Sequence, residues 1–273
     1  MKYLITQKKE LVRAERWDYD FHEPPTLISN YDASLIKKVS DVADVVRSKK
    51  DPTKNPDELF QYIDISSVDI DTGEVERNQE LTGAEAPSRA RKLVQAYDII
   101  ISTCRPTRRA IAVVPEQLHG QVCSTGFSVI RAKQGVNPLY LHFALRLKST
   151  IEQFRKFATG SSYPAILDSD VEKTLIPIPD IEEQDNIVKR LIISLLERKQ
   201  VISAINNKWE NVLQLNLNQL MSKEFDFADI SNDETLSTFT YDQIAKRLEE
   251  LQPLVEEEII DDDEEQLELD FGQ

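Results

Sequence analysis

Glycine, histidine and cysteine are scarce in this 273-residue chain, and their scarcity argues against the common catalytic sites. The seven glycines are dispersed, so no glycine-rich phosphate-binding loop is formed. The three histidines, His22, His119 and His142, are isolated, which leaves little support for a metal site or a Ser-His-Asp constellation. The glycine motif and the Asn/Asp-Pro-Pro-aromatic motif of adenine methyltransferases do not occur either. We therefore predict no catalytic centre, no metal and no cofactor.

Long apolar runs and paired cysteines are also missing. No run approaches the roughly 20 apolar residues that a membrane span requires, and the first residues are too charged for a secretory signal peptide. Cys104 and Cys123 lack a second pair and a Cys-x-x-Cys spacing, so we expect reduced, structural thiols. These features predict an intracellular, cytoplasmic protein without a membrane partner.

Positive charge is in deficit over the whole chain, whose net charge is −15. A nucleic-acid partner needs a positive surface, so the location of the acidic residues matters. Residues 222–273 hold 18 Asp and Glu against 3 Lys and Arg, which accounts for the whole net charge. Between Lys37 and Lys173, 20 basic residues stand against 18 acidic ones, and the basic residues occur in clusters. This middle segment is able to bind DNA if folding gathers the clusters on one face.

Apolar patterning predicts an α+β chain in which a mixed, largely β domain precedes a long helix. β-branched and apolar runs predict short strands at 35–46, 61–70, 98–103, 110–114 and 126–131. Asn137 and Pro138 then suit the start of a helix that continues through Phe154 and stops before Gly160. The other face of this helix carries Arg146, Lys148, Arg155 and Lys156.

The segment around residue 180 specifies the start of the long helix. Pro177 and Pro179 hold the chain extended, Asp180 suits the N-cap, and Glu183 is its capping-box partner. Glycine and proline are then absent as far as Phe225. Some 40 helical residues span roughly 60 Å, and the apolar stripe along them needs a partner helix. The stripe, which we assign to helix pairing, contains Val188, Leu191, Leu195, Ile202, Ile205, Trp209 and Val212.

Four segments follow from these patterns. We predict an N-terminal extension at 1–36, a globular domain at 37–179, the long coiled-coil-forming helix at 180–222 and an acidic tail at 223–273. Self-repulsion should keep most of the tail disordered, apart from a short amphipathic helix at 241–251.

Three stretches of this sequence resemble one family, the specificity subunits of type I restriction-modification systems. The most specific stretch reads TGSSYPAILDSDVEKTLIPIPDIEEQDNIVKRL, from Thr159 to Leu191. Two upstream stretches are also similar to the family, namely LIKKVSDVADVVRSKK and DIIISTCRPTRRAIAVVPEQLHGQVCSTGFSVIRAKQGVNPLYLHFAL. Together they cover about Leu35 to Met221. The resemblance identifies residues 37–179 as a target-recognition domain and residues 180–222 as the conserved helix.

The resemblance also implies partners. Such a subunit reads double-stranded DNA for phage defence, while methyltransferase (M) subunits and a restriction (R) subunit carry out the chemistry, so the chain itself is expected to be non-catalytic. A full specificity subunit holds two recognition domains and two conserved helices, whereas this sequence has one of each and resembles a half subunit. Its helix is then expected to pair with that of a second copy or of a second specificity chain.

DNA-contacting residues are predicted in three basic or polar groups. Arg105, Arg108 and Arg109 share one short loop between strands, and arginine pairs bidentately with guanine; a solvated hairpin end with ion pairs is the alternative. Ser161, Ser162 and Tyr163 suit a DNA contact or a structural turn. Six further residues suit phosphate binding or ordinary surface: Lys49, Lys50, Lys54, Arg89, Arg91 and Lys92.

Two other classes of protein stay open from the sequence. In one, the acidic tail binds a basic partner, as in an interaction protein or a DNA mimic. In the other, the chain is a nuclease whose site has no recognisable motif.

Overall fold

A computed structural model describes residues 27–160 and 162–222 of the protein. Contacts between residues divide the chain into two compact units, Met1–Gln200 and Val201–Gln273. Most of the predicted N-terminal extension, Ser161, and the acidic tail with its predicted helix at 241–251 lie outside the described residues. Within the described ranges, no helix is both long enough and apolar enough to cross a bilayer.

The described elements are short strands, short helices and one long helix. The strands are β1 (Ile36–Lys38), β2 (Ala43–Val45), β3 (Leu59–Ile63), β4 (Gln79–Thr82), β5 (Ala90–Leu93), β6 (Ile99–Ser102), β7 (Ile111–Val113), β8 (Val122–Ser124), β9 (Phe127–Ala132) and β10 (Leu175–Pro177). The helices are α1 (Val39–Val42), α2 (Pro138–Leu145), α3 (Lys148–Phe157), α4 (Asp168–Lys173) and α5 (Ile181–Ser222). This composition confirms the predicted α+β class with a long helix after a largely β domain.

The strands form two four-stranded sheets and one separate pair. The central sheet has the order β2-β9-β6-β7 and is antiparallel throughout. The second sheet has the order β4-β3-β8-β5, and its β3 and β8 run parallel to each other. Strand β1 pairs antiparallel with β10, which ties the first described strand to the segment that precedes α5.

The central sheet is covered on both faces, because successive residues of a strand point to opposite sides. Ile99 and Ile101 belong to a core cluster that includes Leu141 of α2. Ile100 belongs to a second cluster that includes Cys123 of β8, in the other sheet. The uninterrupted apolar run of β6 is therefore the pattern of a strand buried on both faces.

An ion pair between Asp98 and Arg131 lies at one end of this sheet. Asp98, directly before β6, is completely buried and accepts hydrogen bonds from Arg131 Nε at 2.7 Å and Arg131 Nη2 at 2.9 Å. The backbone N–H of Gln95 donates to the same carboxylate. A buried charge is tolerated when it is paired and hydrogen-bonded in this way. The sequence does not reveal this pair, because Asp98 and Arg131 look like any other charged residues there.

Three of the five predicted strands are confirmed at 98–103, 110–114 and 126–131, and two are wrong in part. The segment 35–46 is interrupted by the helical turn α1 between β1 and β2. The segment 61–70 leaves the strand after Ile63, because Asp64 caps a 3-10 turn at Ile65–Ser67 by accepting from Ser67 N at 3.0 Å.

The predicted helix from 138 to beyond 154 is interrupted, and this prediction is corrected. Helix α2 ends at Leu145 and α3 begins at Lys148. Arg146 lies in the break and is buried, and Lys156 of α3 is buried as well. Several backbone carbonyl groups surround the Arg146 guanidinium, and these acceptors replace water around its charge.

The start of α5 agrees with the prediction. Asp180 Oδ1 accepts from the backbone N–H of Glu183 at 2.9 Å, which is the N-cap interaction. Up to Gln200 the helix lies in the same compact unit as the sheets. Two ion pairs also join it to the loop after β3: Arg198 Nη2 lies 3.5 Å from Asp71 Oδ2, and Lys199 Nζ lies 2.6 Å from Glu74 Oε2.

Candidate nucleic-acid interface

The loop between β6 and β7, Cys104–Arg109, is called the arginine loop here. It contains a 3-10 turn at Pro106–Arg108, flanked by Arg105 at φ 48° and Arg109 at φ 61°. Both flanking residues are left-handed, a conformation that costs a non-glycine residue about 1 kcal/mol or more. Strain of this kind persists only where surrounding contacts hold it, and such contacts are present on both sides of the loop.

A second loop, the 159–166 loop, described at residues 159–160 and 162–166, lies beside the arginine loop. The backbone N–H of Arg105 donates to the carbonyl of Pro164 at 2.7 Å, and that of Ile166 donates to the carbonyl of Thr103 at 2.9 Å. Cys104 and Ala165 form a β-bridge between the two loops. The structure therefore brings the arginine loop close to Ser162 and Tyr163, two predicted DNA contacts that lie far from it in the sequence.

Arg105 and Tyr163 stack where the loops meet. The guanidinium carbon of Arg105 lies 4.8 Å from the centroid of the Tyr163 ring, and Arg105 Nη2 donates to the carbonyl of Ser162 at 3.4 Å. The Tyr163 side chain is nevertheless 70% exposed. A planar cation held against an aromatic face is a favourable pair, and here it leaves the outer surface of the ring accessible.

The other two arginines of the loop differ in what they contact. Arg108 is exposed, and no described residue forms a side-chain hydrogen bond or ion pair with it. Arg109 is also exposed, but its Nη2 donates to the carbonyl of Arg146 at 3.1 Å. Arg108 is therefore the loop arginine whose guanidinium has no such bond to another described residue.

The buried Arg146 side chain is hydrogen-bonded to the end of the arginine loop. Its guanidinium donates to the carbonyls of Arg109 and Ile111 at 3.3 and 3.1 Å, and to those of Ile70 and Asp71 at 2.8 Å each. Burial lowers the pKa of Arg146 from its ordinary value, and the neighbouring Arg109 charge adds to this effect. Arginine stays protonated even so, so a positive charge lies under the loop.

The six remaining basic candidates fall into two groups. Three contact their own domain: Lys50 Nζ lies 3.3 Å from Glu58 Oε1, Arg91 Nη2 lies 3.5 Å from Asp51 Oδ1, and Lys92 Nζ donates to the carbonyl of Phe127 at 2.5 Å. The other three, Lys49, Lys54 and Arg89, are exposed.

Arg89 is linked to the arginine loop by a short series of backbone hydrogen bonds. Its carbonyl accepts from Thr125 N at 2.9 Å, and the carbonyl of the adjacent Gly126 accepts from Thr103 N at 2.9 Å. The turn between β8 and β9 thus connects Arg89 to the residue that precedes the arginine loop. Lys49 forms a β-bridge with Lys92, which lies on β5.

The residues assigned to helix pairing are also divided by the structure. Val188 is buried and belongs to the core cluster of the domain, so it packs within the chain. Leu195 is partly buried. The remaining assigned residues are exposed on α5: Leu191, Ile202, Ile205, Trp209 and Val212.

The described residues contain no cluster of His, Cys, Asp or Glu that is able to hold a metal ion. Both cysteines are free thiols, and burial raises the pKa of Cys123 to about 12. A thiol of that pKa is protonated and unreactive at neutral pH.

The described residues thus form a β-rich domain with an edge that carries arginines and an aromatic ring, and a long helix with exposed apolar side chains. A family model described as the type I restriction modification DNA specificity domain matches residues 34–211. The chain belongs to this family, as its sequence predicted.

Individual relatives agree with the family assignment. The HindI specificity subunit of Haemophilus influenzae is 30% identical over 155 residues, which cover 54% of this chain and 34% of that protein. The MjaIX specificity subunit of Methanocaldococcus jannaschii is 24% identical over 211 residues, 71% of this chain and 45% of that protein. The chain therefore spans less than half the length of the curated relatives it matches.

Among solved structures, the HsdS subunit from Thermoanaerobacter tengcongensis is similar. It is 36% identical, with a TM-score of 0.55, and the match covers 70% of this chain and 49% of that one. This likeness agrees with the observed fold, in which a β-rich domain is followed by a long helix.

Proposed function

We propose that this chain reads a short DNA sequence as a specificity subunit of a type I restriction-modification system, a form of phage defence. The observation that carries the proposal is the meeting of the arginine loop with the 159–166 loop, which gathers exposed donors and an exposed ring at one edge. Family membership over residues 34–211 supports the same function. The chain is proposed to be non-catalytic and to need no cofactor.

Arg108 is the proposed reader of base edges. Its guanidinium is exposed and carries a fork of donors that matches O6 and N7 of guanine in the major groove. Tyr163, which stacks on Arg105, offers an aromatic face for contact with the DNA beside that base. Ser161 and Ser162 remain candidates for contacts from the same loop.

Phosphate contacts are assigned to the exposed basic residues around this edge. Arg89 is linked to the arginine loop through Thr125 and Gly126, and Lys49 and Lys54 are exposed. Contacts of this type fix the register of the protein on the duplex without reading its sequence. Lys50, Arg91 and Lys92 are weaker candidates, because their side chains already bind groups of the domain.

Helix α5 is proposed to bind a second recognition unit, supplied by another copy of the chain or by a second specificity chain. Its exposed apolar side chains, including Ile205 and Trp209, favour a helical partner. The M and R subunits are proposed to assemble on this pair and to carry out methylation and cleavage. Pairing of two such units would set the distance between two half-sites.

Sequence-specific binding by the full chain tests the proposal. A preferred duplex is first selected from a library of double-stranded oligonucleotides with a randomised centre. Affinity for that duplex and for a scrambled duplex is then measured by fluorescence anisotropy. Arg108→Ala should lower the ratio of the two affinities about tenfold or more, the value of one bidentate base contact. Arg190→Ala, on an exposed arginine of α5, is the matched control and should leave the ratio unchanged.

Two results would refute the proposal. One is binding that disappears when residues 256–273 are removed, because the acidic tail would then carry the interaction. The other is metal-dependent cleavage of the duplex by the chain alone. Methylome sequencing of a host with and without the gene tests the assembly, since a bipartite methylated motif should vanish with the gene. A palindromic motif indicates pairing of two copies.

A further inference from the structure

The break between α2 and α3 places one buried guanidinium between two parts of the domain. Arg146 donates to four carbonyl oxygens, two at the end of the arginine loop and the start of β7, and two in the turn before Gly73. These acceptors lie 35 to 76 residues away in the sequence. The network therefore joins segments that are distant in the sequence.

On the arginine-loop side, Arg109 is held at both ends. Its carbonyl accepts from Arg146 Nη1 and from Ile111 N, and its own Nη2 donates to the Arg146 carbonyl. These bonds stabilise Arg109 in its left-handed conformation at φ 61°. Arg108 directly precedes this residue, so fixing the Arg109 backbone also restrains the Arg108 backbone from which the Arg108 side chain projects.

On the opposite side, Arg146 contacts the turn at residues 69–74, which forms ion pairs with α5. Asp71, whose carbonyl accepts from Arg146, pairs through its carboxylate with Arg198. Gly73 closes the turn at φ 74°, and a Cβ there would overlap with His142 and lie 2.7 Å from Arg146 Nη1. The turn is therefore able to approach Arg146 this closely only because residue 73 is glycine.

We propose that Arg146 is a positioning residue for base recognition. It fixes the left-handed end of the arginine loop and thereby orients the Arg108 side chain toward the DNA. The inference rests on the proposed function, since it assigns a role in reading to a side chain that does not reach DNA. Arginine is required because its planar fork donates in several fixed directions at once, whereas a lysine ammonium is a single point. Lysine at this position keeps the charge but is unable to satisfy both groups of carbonyls.

Arg146→Lys in the full chain tests the role on the selected and scrambled duplexes. We expect the affinity ratio to fall about tenfold, to the level of Arg108→Ala. The scrambled-duplex affinity and its salt dependence should not change, because phosphate contacts are untouched. The double variant Arg108→Ala/Arg146→Lys should have the same ratio as Arg108→Ala alone. Arg190→Lys is the control and should behave as the wild type.

The contrary results are distinct. A folded Arg146→Lys chain with an unchanged ratio, or an additive loss in the double variant, overturns the positioning role. If Arg146→Lys does not fold, Arg109→Lys provides a second test, because it keeps the exposed positive charge at residue 109 and removes the guanidinium that binds the Arg146 carbonyl. Non-additivity of Arg109→Lys with Arg108→Ala supports the role, and additivity overturns it. A wild-type chain without sequence preference overturns the proposed function as well, which separates the two failures.

Discussion

Gln184 in the first turn of α5 is hydrogen-bonded to Asn137 at the start of α2. The Gln184 side-chain oxygen accepts from the Asn137 backbone N–H at 2.9 Å, and its nitrogen donates to the Pro179 carbonyl at 2.8 Å. Asn137 in turn caps α2 by accepting from Leu139 N at 2.9 Å, and it donates to Asp185 at 2.7 Å. Gln184 is only 1% exposed, so this single amide connects the beginnings of two helices inside the domain.

Replacing Gln184 with alanine should destabilise the domain by about 3 kcal/mol. The substitution leaves one buried donor and one buried acceptor without partners, and each typically costs about 1–3 kcal/mol. Urea denaturation followed by circular dichroism measures the loss. Asn186→Ala, two residues further along and exposed, should change stability by less than about 0.5 kcal/mol. Equal stability of the two variants would contradict the role assigned to Gln184.

His142 should make the domain less stable as the pH falls below neutrality. Burial lowers its pKa to about 4 in the folded protein, and the Arg146 charge adds to the effect. The unfolded chain takes up this proton near pH 6.5, so the stabilisation is complete above that pH and is lost between about 6.5 and 4. The full difference amounts to roughly 3 kcal/mol.

Urea denaturation across this pH range, for the wild type and for His142→Gln, checks the prediction. The variant should lose much of the dependence on pH between about 6.5 and 4.5, above the range where most carboxylates titrate. His119→Gln, at an exposed histidine, should keep the wild-type dependence. A His142→Gln profile parallel to that of the wild type would count against the neutral buried imidazole.

Arg89 and Lys92 should respond differently to alanine substitution, although they are only three positions apart. Arg89 is exposed, and its loss should weaken binding to selected and scrambled duplexes alike and reduce the salt slope by about 1. Lys92 donates to the Phe127 carbonyl, and its loss should lower the free energy of unfolding by about 1 kcal/mol. Anisotropy at several salt concentrations and urea denaturation separate the two effects. The assignment fails if Lys92→Ala reduces the salt slope and Arg89→Ala does not.

Trp209 should contribute to association through α5. Its side chain is 61% exposed, and burial of an aromatic side chain between helices is strongly favourable. Trp209→Glu should weaken self-association at least tenfold in sedimentation equilibrium, because it puts a charge into an apolar contact. Asn207→Glu, at an exposed polar position of the same helix, should leave association nearly unchanged. A wild-type chain that is monomeric alone is then mixed with a candidate second specificity chain, and Trp209→Glu should prevent that pairing.

The elements that the sequence predicts correctly depend on short-range chemistry. The apolar run at 98–103 is the pattern of a strand buried on both faces. Asp180 caps α5 because a short acceptor directly precedes the helix. The family resemblance near residue 180 also reflects local constraints. The prolines, the cap and Gln184 lie within a few residues of one another.

The elements that the sequence predicts wrongly depend on distant partners. Helical spacing placed Arg146 within one continuous helix, but the helix is interrupted there, and the Arg146 side chain donates to the carbonyls of Ile70, Asp71, Arg109 and Ile111. No periodicity encodes these contacts. Val188, which the apolar stripe grouped with the helix-pairing residues, packs in the domain core through contacts that are distant in the sequence.

The sequence by itself thus determined the α+β class, the start of the long helix and the family, because capping, patterning and turn chemistry act over a few residues. It also identified the arginine loop as a candidate, but it left Arg105, Arg108 and Arg109 equivalent. Only the tertiary structure distinguished them: Arg105 stacks on Tyr163, Arg109 is hydrogen-bonded to Arg146, and the exposed Arg108 side chain has no such bond to another described residue. The physical reason is that the donors of a guanidinium are claimed by whichever acceptors folding brings within reach, and in this domain most of those acceptors lie far away along the chain.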